Sequence, residues 1–238
     1  MPLIVLPNTT CDAATNMATD VSLLYSVPAH SAIFRHYSWI EPTITFGYTQ
    51  QIEEVKAIVP NSIHLCRRIT GGGIVDHRND WTYALVLHSH LKMARMTANE
   101  LYAKIHQCIQ HALGKQSIES QLAPCPIACG QSQLSSQSTG PNQCFVQPTA
   151  NDVLSPDGQK IAGAAMKRTR AGLLVQGSID RKKITESFDF QSFSNVLTKM
   201  IADWLDLDLC PNDKNLPSQQ SIQQELRRFE SNEWKYKR

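Results

Sequence analysis

The sequence predicts an α+β protein with layered α/β character, a central mixed sheet carrying flanking helices. Three observations predict it. Short runs rich in β-branched and aromatic residues, bounded by Pro and Gly, cluster between residues 32 and 88. Apolar residues recur at helical spacing in separate blocks. Strands and helices come in groups, with no internal repeat and no regular strand-helix alternation. At 238 residues, 42% hydrophobic and 18% charged, the chain suits a single domain spanning 1–238. A chain of this length buries roughly 70–75% of its unfolded surface, so folding requires neither disulfides nor a structural metal.

The elements follow in order. Residues 12–26 read as a helix, with Asp12 as N-cap and Met17, Val21, Leu24 and Tyr25 as one apolar stripe. Segments 32–37, 43–46 and 63–69 read as strands punctuated by Pro42 and Gly47, and 81–88 as another after the turn-like Arg78-Asn79-Asp80. Thr97 and Glu100 have capping-box spacing and open a helix that runs to Leu113 and stops at Gly114. From 116 to 143 the composition shifts to Ser, Gln, Pro and Cys without periodicity, which reads as a long polar loop, flexible or functional. Order is expected again at 144–147 and 153–154, followed by a turn at 155–158 and a hairpin of 159–168 with 172–179. Two helices fill the C-terminal part, 190–238. One is core-facing, with Phe193, Val196, Leu197, Met200, Ile201, Trp204 and Leu205 on one side; the other, about 218–230, carries a narrow stripe of Ile222, Leu226 and Phe229.

Composition narrows the function. Lys+Arg 23 against Asp+Glu 21 leaves a formal charge of +2 with no basic stripe beyond the short tail at 235–238, so neither a nucleic-acid partner nor a membrane surface is expected. The first residues lack a basic region and a long apolar run, and no stretch approaches a membrane span of about 18 apolar residues. Seven cysteines at irregular spacing, an odd number, fit a reducing cytoplasm rather than a disulfide framework. Cys125 and Cys129 have no second pair or His at zinc spacing, so no metal site is expected.

Two stretches carry chemistry. In Arg67-Arg68-Ile69-Thr70-Gly71-Gly72-Gly73-Ile74-Val75-Asp76-His77, three glycines let backbone approach a ligand, while two arginines and a histidine add charge and a titratable ring. An isolated triple glycine is equally a tight turn between strands. No Gly-Lys-Ser/Thr follows, so it is not a nucleotide-hydrolase phosphate loop. The second stretch runs from Cys144 through Asn151-Asp152 to Gly158-Gln159-Lys160-Ile161-Ala162-Gly163-Ala164-Ala165. A lone cysteine is more often a small buried hydrophobe, and a lone lysine is usually solvated. Lys160, however, sits in an apolar, small-residue strand, where desolvation is expected to tune it toward proton transfer or carbonyl polarisation.

These residues resemble a known family. Arg67-Arg68-x-Thr70-Gly71-Gly72-Gly73-x-Val75-x-His77, paired with Gly158-x-Lys160-Ile161-x-Gly163-x-Ala165 about 90 residues later, looks like the double signature of the lipoate-protein ligase and octanoyltransferase family, with the biotin ligases as more distant members. The likeness extends over Tyr37 to Gln50 and Gly172 to Ile179, covering about residues 12–180. It implies a class II synthetase-like biotin/lipoate ligase fold with a tunnel for an acyl chain. Cys144-Phe145-Val146-Gln147-Pro148-Thr149 is similar to the Cys-Phe-x-x-Pro-Ser/Thr context of the family's cysteine-dependent transferases. The resemblance then implies an acyl-Cys144 intermediate, with Lys160 as its activating and orienting partner and no cofactor. Arg68, Thr70, Gly71, Gly72, Gly73 and His77 line the acyl site, flanked by Gly163, Ala164 and Ala165. An octanoyl or lipoyl group would come from acyl carrier protein and pass to a lysine of a lipoyl-domain protein, such as the glycine-cleavage carrier protein or a 2-oxoacid dehydrogenase subunit. Asn151-Asp152 matches the dipeptide that lies next to the adenylate and its metal in the family's ligases, so an ligase using ATP and Mg to form lipoyl-adenylate is the alternative. Gln176 stands where the family often has a His before Gly-Ser. The Gly-Arg-Gly-Arg-type loop of biotin ligases is absent.

Overall fold

The computed structural model describes residues 1–124, 148–212 and 216–237. In chain order the elements are β1 (Pro2–Val5), β2 (Thr9–Cys11), α1 (Ala13–Ser26), β3 (Ala32–Trp39), β4 (Thr43–Phe46), α2 (Ile52–Lys56), β5 (His64–Arg67), β6 (Val75–Asp76), β7 (Asp80–His88), α3 (Ala98–Gly114), β8 (Gln121–Leu122), β9 (Val153–Leu154), β10 (Lys160–Arg168), β11 (Gly172–Asp180), α4 (Phe190–Leu205), β12 (Asp208–Pro211), α5 (Gln219–Glu230) and α6 (Asn232–Lys235). The main sheet runs β12-β1-β3-β7-β11-β10-β9-β8, with β2 alongside β3. It is mixed: β1 is parallel to β12 and β3, whereas β3-β7-β11-β10 pair antiparallel. A small second sheet, β5-β4-β6, stands apart.

Alternation along the central strands gives the main sheet two apolar faces. On one, Phe34, Tyr83, Leu85, Leu173 and Val175 pack with Leu101, Ile105 and Ile109 of α3 and Phe193, Leu197 and Ile201 of α4. On the other, Ile33, Ala84, Val86 and Leu174 meet Met17, Val21 and Leu24 of α1, with Phe229 of α5 and Trp234 of α6 closing the layer. Caps fix the helix starts as the sequence predicts: Asp12 Oδ1 accepts from Thr15 N at 2.8 Å, and Thr97 and Glu100 form the full capping box.

Several elements differ from expectation. Tyr25 lies outside the α1 stripe and is 58% exposed, because residues 17, 21 and 24 already fill the face toward the sheet. β1, β2 and β12 escape prediction because each is only three or four residues long and stands on parallel pairing with strands distant in sequence. α2 is a single short turn of helix in what reads as loop. The long polar segment starts with structure, as Gln121–Leu122 pairs with Val153–Leu154; most of the rest, including Cys125, Cys129 and the expected order at 144–147, lies outside the described residues. No helix among the described residues is long and apolar enough to cross a membrane.

Candidate active site

The register of four strands builds the site. Gly163 of β10 faces Ser178 of β11, Ser178 faces Thr82 of β7, and Thr82 faces Tyr37 of β3; the next row on the same face is Ala165, Gln176, Ala84 and Arg35. Small and polar side chains in these rows leave a trough across a sheet that is otherwise filled by large apolar groups. The small sheet roofs it with Thr45, Arg68, Val75 and His77, and Met17 and Trp39 complete the walls. The empty space, open mouth included, is about 430 Å³. Its lining combines apolar surface with a few convergent polar groups, as small-molecule sites do.

One end of the trough meets a buried ion pair. Lys160 Nζ lies 2.7 Å from Asp152 Oδ2, with the two side chains only 2% and 4% exposed. The lysine reaches this position by crossing its own strand over Gly163: a Cβ there would stand 2.5 Å from Lys160 Cε and 2.9 Å from Asp152 Oδ1. A register shift against β9 between Lys160 and Ala162 re-aims the side chain. Asp152 is itself fixed, its Oδ2 accepting from Thr149 N at 2.7 Å and Thr149 Oγ1 at 3.0 Å. The preceding Asn151 takes the left-handed conformation (φ 69°), and its carbonyl accepts from His106 Nδ1 at 2.6 Å. His106 is buried in α3, and that burial pushes its pKa below the ordinary histidine value against the opposing pull of the Asn151 carbonyl and Asp152. Lys160 is thus buried in its small-residue strand, and a carboxylate that the sequence reading did not pair with it stands beside it.

The glycine run shapes the roof. Arg68 Nη2 donates to the carbonyls of Gly71 (3.1 Å) and Gly73 (2.9 Å), while Nη1 donates to Thr45 Oγ1 at 2.6 Å. Gly72, at φ +84°, supplies the left-handed turn. Its carbonyl comes so close to Gly47 that a Cβ on Gly47 would stand 2.0 Å away. Thr70 is fully buried and donates to Gln176 Oε1 at 2.8 Å; Gln176 Nε2 in turn donates to Asp20 Oδ2 at 2.7 Å. Burial raises the Asp20 pKa, opposed by Arg35 at 3.1 Å and by bonds from Gln176 and Tyr37.

At the end of the trough remote from Lys160, His77 lies under Trp39, ring centroids 4.1 Å apart. Its Nδ1 is 2.7 Å from Asp80 Oδ2 and its Nε2 is 2.6 Å from Thr45 Oγ1. Thr82 and Ser178 also donate to Asp80 Oδ2.

Of the residues singled out in the sequence, Arg68, His77, Gly163, Ala164 and Ala165 stand on the pocket wall. Thr70 and Gly71–Gly73 stand behind it, holding Gln176 and Arg68. Lys160 is beside it, and Cys144 lies outside the described residues. Sequence reasoning missed Asp80, Thr82, Ser178, Thr45 and His106. Polar residues recurring at every second position of apolar strands (Asp80 and Thr82; Gln176 and Ser178) were the available signal. Among the described residues no group of three or more His, Cys, Asp or Glu side chains is arranged to hold a metal ion.

The site is thus a slot between two sheets, with a buried lysine-carboxylate pair at one end and an arginine-braced glycine turn over it. A family model described as the lipoyl protein ligase A/B catalytic domain matches residues 12–204, and the chain belongs to this family. An octanoyltransferase, LipM, of Oceanobacillus iheyensis is 32% identical over 182 residues, 73% of this chain; the match spans 62% of the relative's own length. Among solved structures, a T. acidophilum protein with bound lipoic acid superposes with TM-score 0.72 at 18% identity, covering 98% of this chain and 99% of that one. A bipartite lipoate protein ligase from Thermoplasma acidophilum, studied with its E2 lipoyl domain, gives TM-score 0.67 at 17% identity, covering 98% and 96%. The fold is therefore the lipoate ligase fold, as the sequence signature implies.

Proposed function

We propose that the chain is an acyltransferase of lipoate metabolism that moves an octanoyl group from a carrier-protein thioester to a lysine of a lipoyl domain through acyl-Cys144. The observation that carries this reading is the trough beside Lys160, whose apolar walls suit an acyl chain and whose ion-paired end suits a carbonyl; the LipM likeness supports it. In the ping-pong scheme the Cys144 thiolate attacks the thioester carbon, and the carrier thiolate leaves. Lys160, oriented by Asp152, donates a hydrogen bond to the developing oxyanion, where charge-assisted donors act most strongly. The neutral amine of the acceptor lysine then attacks acyl-Cys144; the amide forms, the C–S bond breaks, Cys144 leaves as thiolate and the proton lost from the amine passes to solvent. The thioester supplies the energy, so the scheme needs no ATP and no metal. Acyl carrier protein is the proposed donor; the acceptor, a lipoyl domain, matches the kind of partner studied with the Thermoplasma ligase.

The alternative, an ATP-dependent lipoate ligase, is favoured by Asn151-Asp152. One experiment separates the two. Incubated with octanoyl-acyl carrier protein without ATP, the protein should gain a hydroxylamine-labile octanoyl mass that Cys144→Ala abolishes. No adduct, together with lipoate-dependent exchange of pyrophosphate into ATP, establishes the ligase instead.

A further inference from the structure

We propose that Asp80 is the positioning residue of the pocket: it dictates which nitrogen of His77 carries the proton, and through His77 it sets the chain of hydrogen bonds that holds Arg68 and the glycine turn. The inference rests on reading the trough as the acyl site. A carboxylate only accepts, so at 2.7 Å from Asp80 Oδ2 the Nδ1 of His77 must be the protonated nitrogen. A guanidinium only donates, so Thr45 Oγ1 accepts from Arg68 Nη1 and turns its own proton toward the bare Nε2 of His77, 2.6 Å away. Arg68 spends its other terminal nitrogen on the carbonyls of Gly71 and Gly73. Donation therefore runs outward from Arg68, one way to the carbonyls of the glycine turn and the other way through Thr45 and His77 to a single oxygen on the main sheet.

The anchor is well fixed. Asp80 is 1% exposed at the side chain, and Thr82 and Ser178 donate to the same Oδ2 as His77, while Oδ1 has no hydrogen-bond partner among the described residues. Three donors converge on one buried oxygen, and Thr82 Oγ1 also lies 3.3 Å from His77 Nδ1, so the carboxylate, the ring and both hydroxyls form one connected cluster. Trp39, stacked on His77 and donating to Thr82 at 2.9 Å, carries the setting onto the pocket wall. With Asn at position 80 the amide can donate to a ring nitrogen and the His77 proton is released to Nε2; that N–H then donates to Thr45 Oγ1 beside Arg68, and the Thr45 proton must turn away from the ring.

The test uses the full chain labelled with ¹⁵N-histidine and long-range ¹H–¹⁵N correlation, with octanoate as the binding probe. The wild-type protein should show His77 protonated at Nδ1 only. In Asp80→Asn most of the signal should move to the Nε2–H form, and octanoate should bind about tenfold or more weakly, the size typical of losing an orienting partner one shell out. Thr45→Val should keep the Nδ1 proton, because the carboxylate rather than the hydroxyl dictates it; this variant decides the matter if Asp80→Asn does not fold. An Nε2 proton in the wild type, an unchanged tautomer in Asp80→Asn, or a switch in Thr45→Val overturns the proposal. Failure of the wild type to bind octanoate counts against the acyl reading of the trough, and the tautomer pattern still decides the role of Asp80.

Discussion

The chemistry of the site turns on what each charged side chain is allowed to face. Asp152→Asn leaves Lys160 buried beside an amide, and breaking a buried ion pair by removing one partner costs about 3–5 kcal/mol. Urea unfolding should register that loss, and octanoyl transfer should fall about tenfold or more with it. Lys160→Ala removes cation and donor together, and transfer measured by lipoyl-domain mass should drop below about a tenth of wild type. His106 gives a pH signature. Its folded pKa lies below the unfolded value of 6.5, so unfolding takes up a proton as the medium acidifies. The stability it contributes is complete above about 6.5 and is lost as pH falls toward the depressed folded value. Urea midpoints measured from pH 7.5 down to pH 5 should fall less steeply in His106→Gln than in the wild type. Two thiols are inert by the same physics: burial pushes Cys66 up to about 12 and Cys108 up to about 11, so iodoacetamide at pH 8 should leave both unlabelled in the folded protein.

Among the elements, the β10–β11 hairpin lines more of the pocket than any other, and it also holds small residues that leave no room for replacement. A Cβ on Gly177 would stand 2.2 Å from the ring of Tyr83, which is wholly buried on the α3–α4 face. Gly177→Ala should therefore lower the unfolding free energy by about 1–3 kcal/mol or more, read from denaturant midpoints, through overpacking alone. This hairpin, α1, α3 and α4 were legible in the sequence because their signals are local: caps, turn residues and a 3.6-residue stripe. β1 and β12 were not, since such four-residue strands owe their existence to parallel partners far along the chain. The pocket wall was half legible. Arg68, His77 and Gly163–Ala165 belong to recognisable motifs, whereas Thr82, Ser178 and Tyr37 become neighbours only through the register of four strands. The Lys160–Asp152 pair needed a strand crossing that no spacing rule encodes.

At the scale of the molecule, Arg67 joins regions that are far apart in sequence. Its guanidinium is almost wholly buried and donates to the carbonyls of Tyr48, Gln50, Trp234 and Lys235, and the Trp234 indole donates back to the Arg67 carbonyl. Lysine offers a compact point charge in place of a planar fork, so Arg67→Lys strands several of these acceptors and should cost about 2–4 kcal/mol in thermal or urea unfolding. The same variant should loosen α6, raising hydrogen exchange at residues 232–235 ahead of the α3–α4 layer.

Arg67 and Arg68 are adjacent, yet one grips α6 and the other braces the glycine turn over the trough. During synthesis the strand that carries them leaves the ribosome long before residues 234 and 235 exist. The strand beside the glycine turn therefore gains this anchor only once the residues that stand 167 and 168 positions further along the chain have been made, so the roof of the slot is among the parts of the molecule that wait longest for their partners.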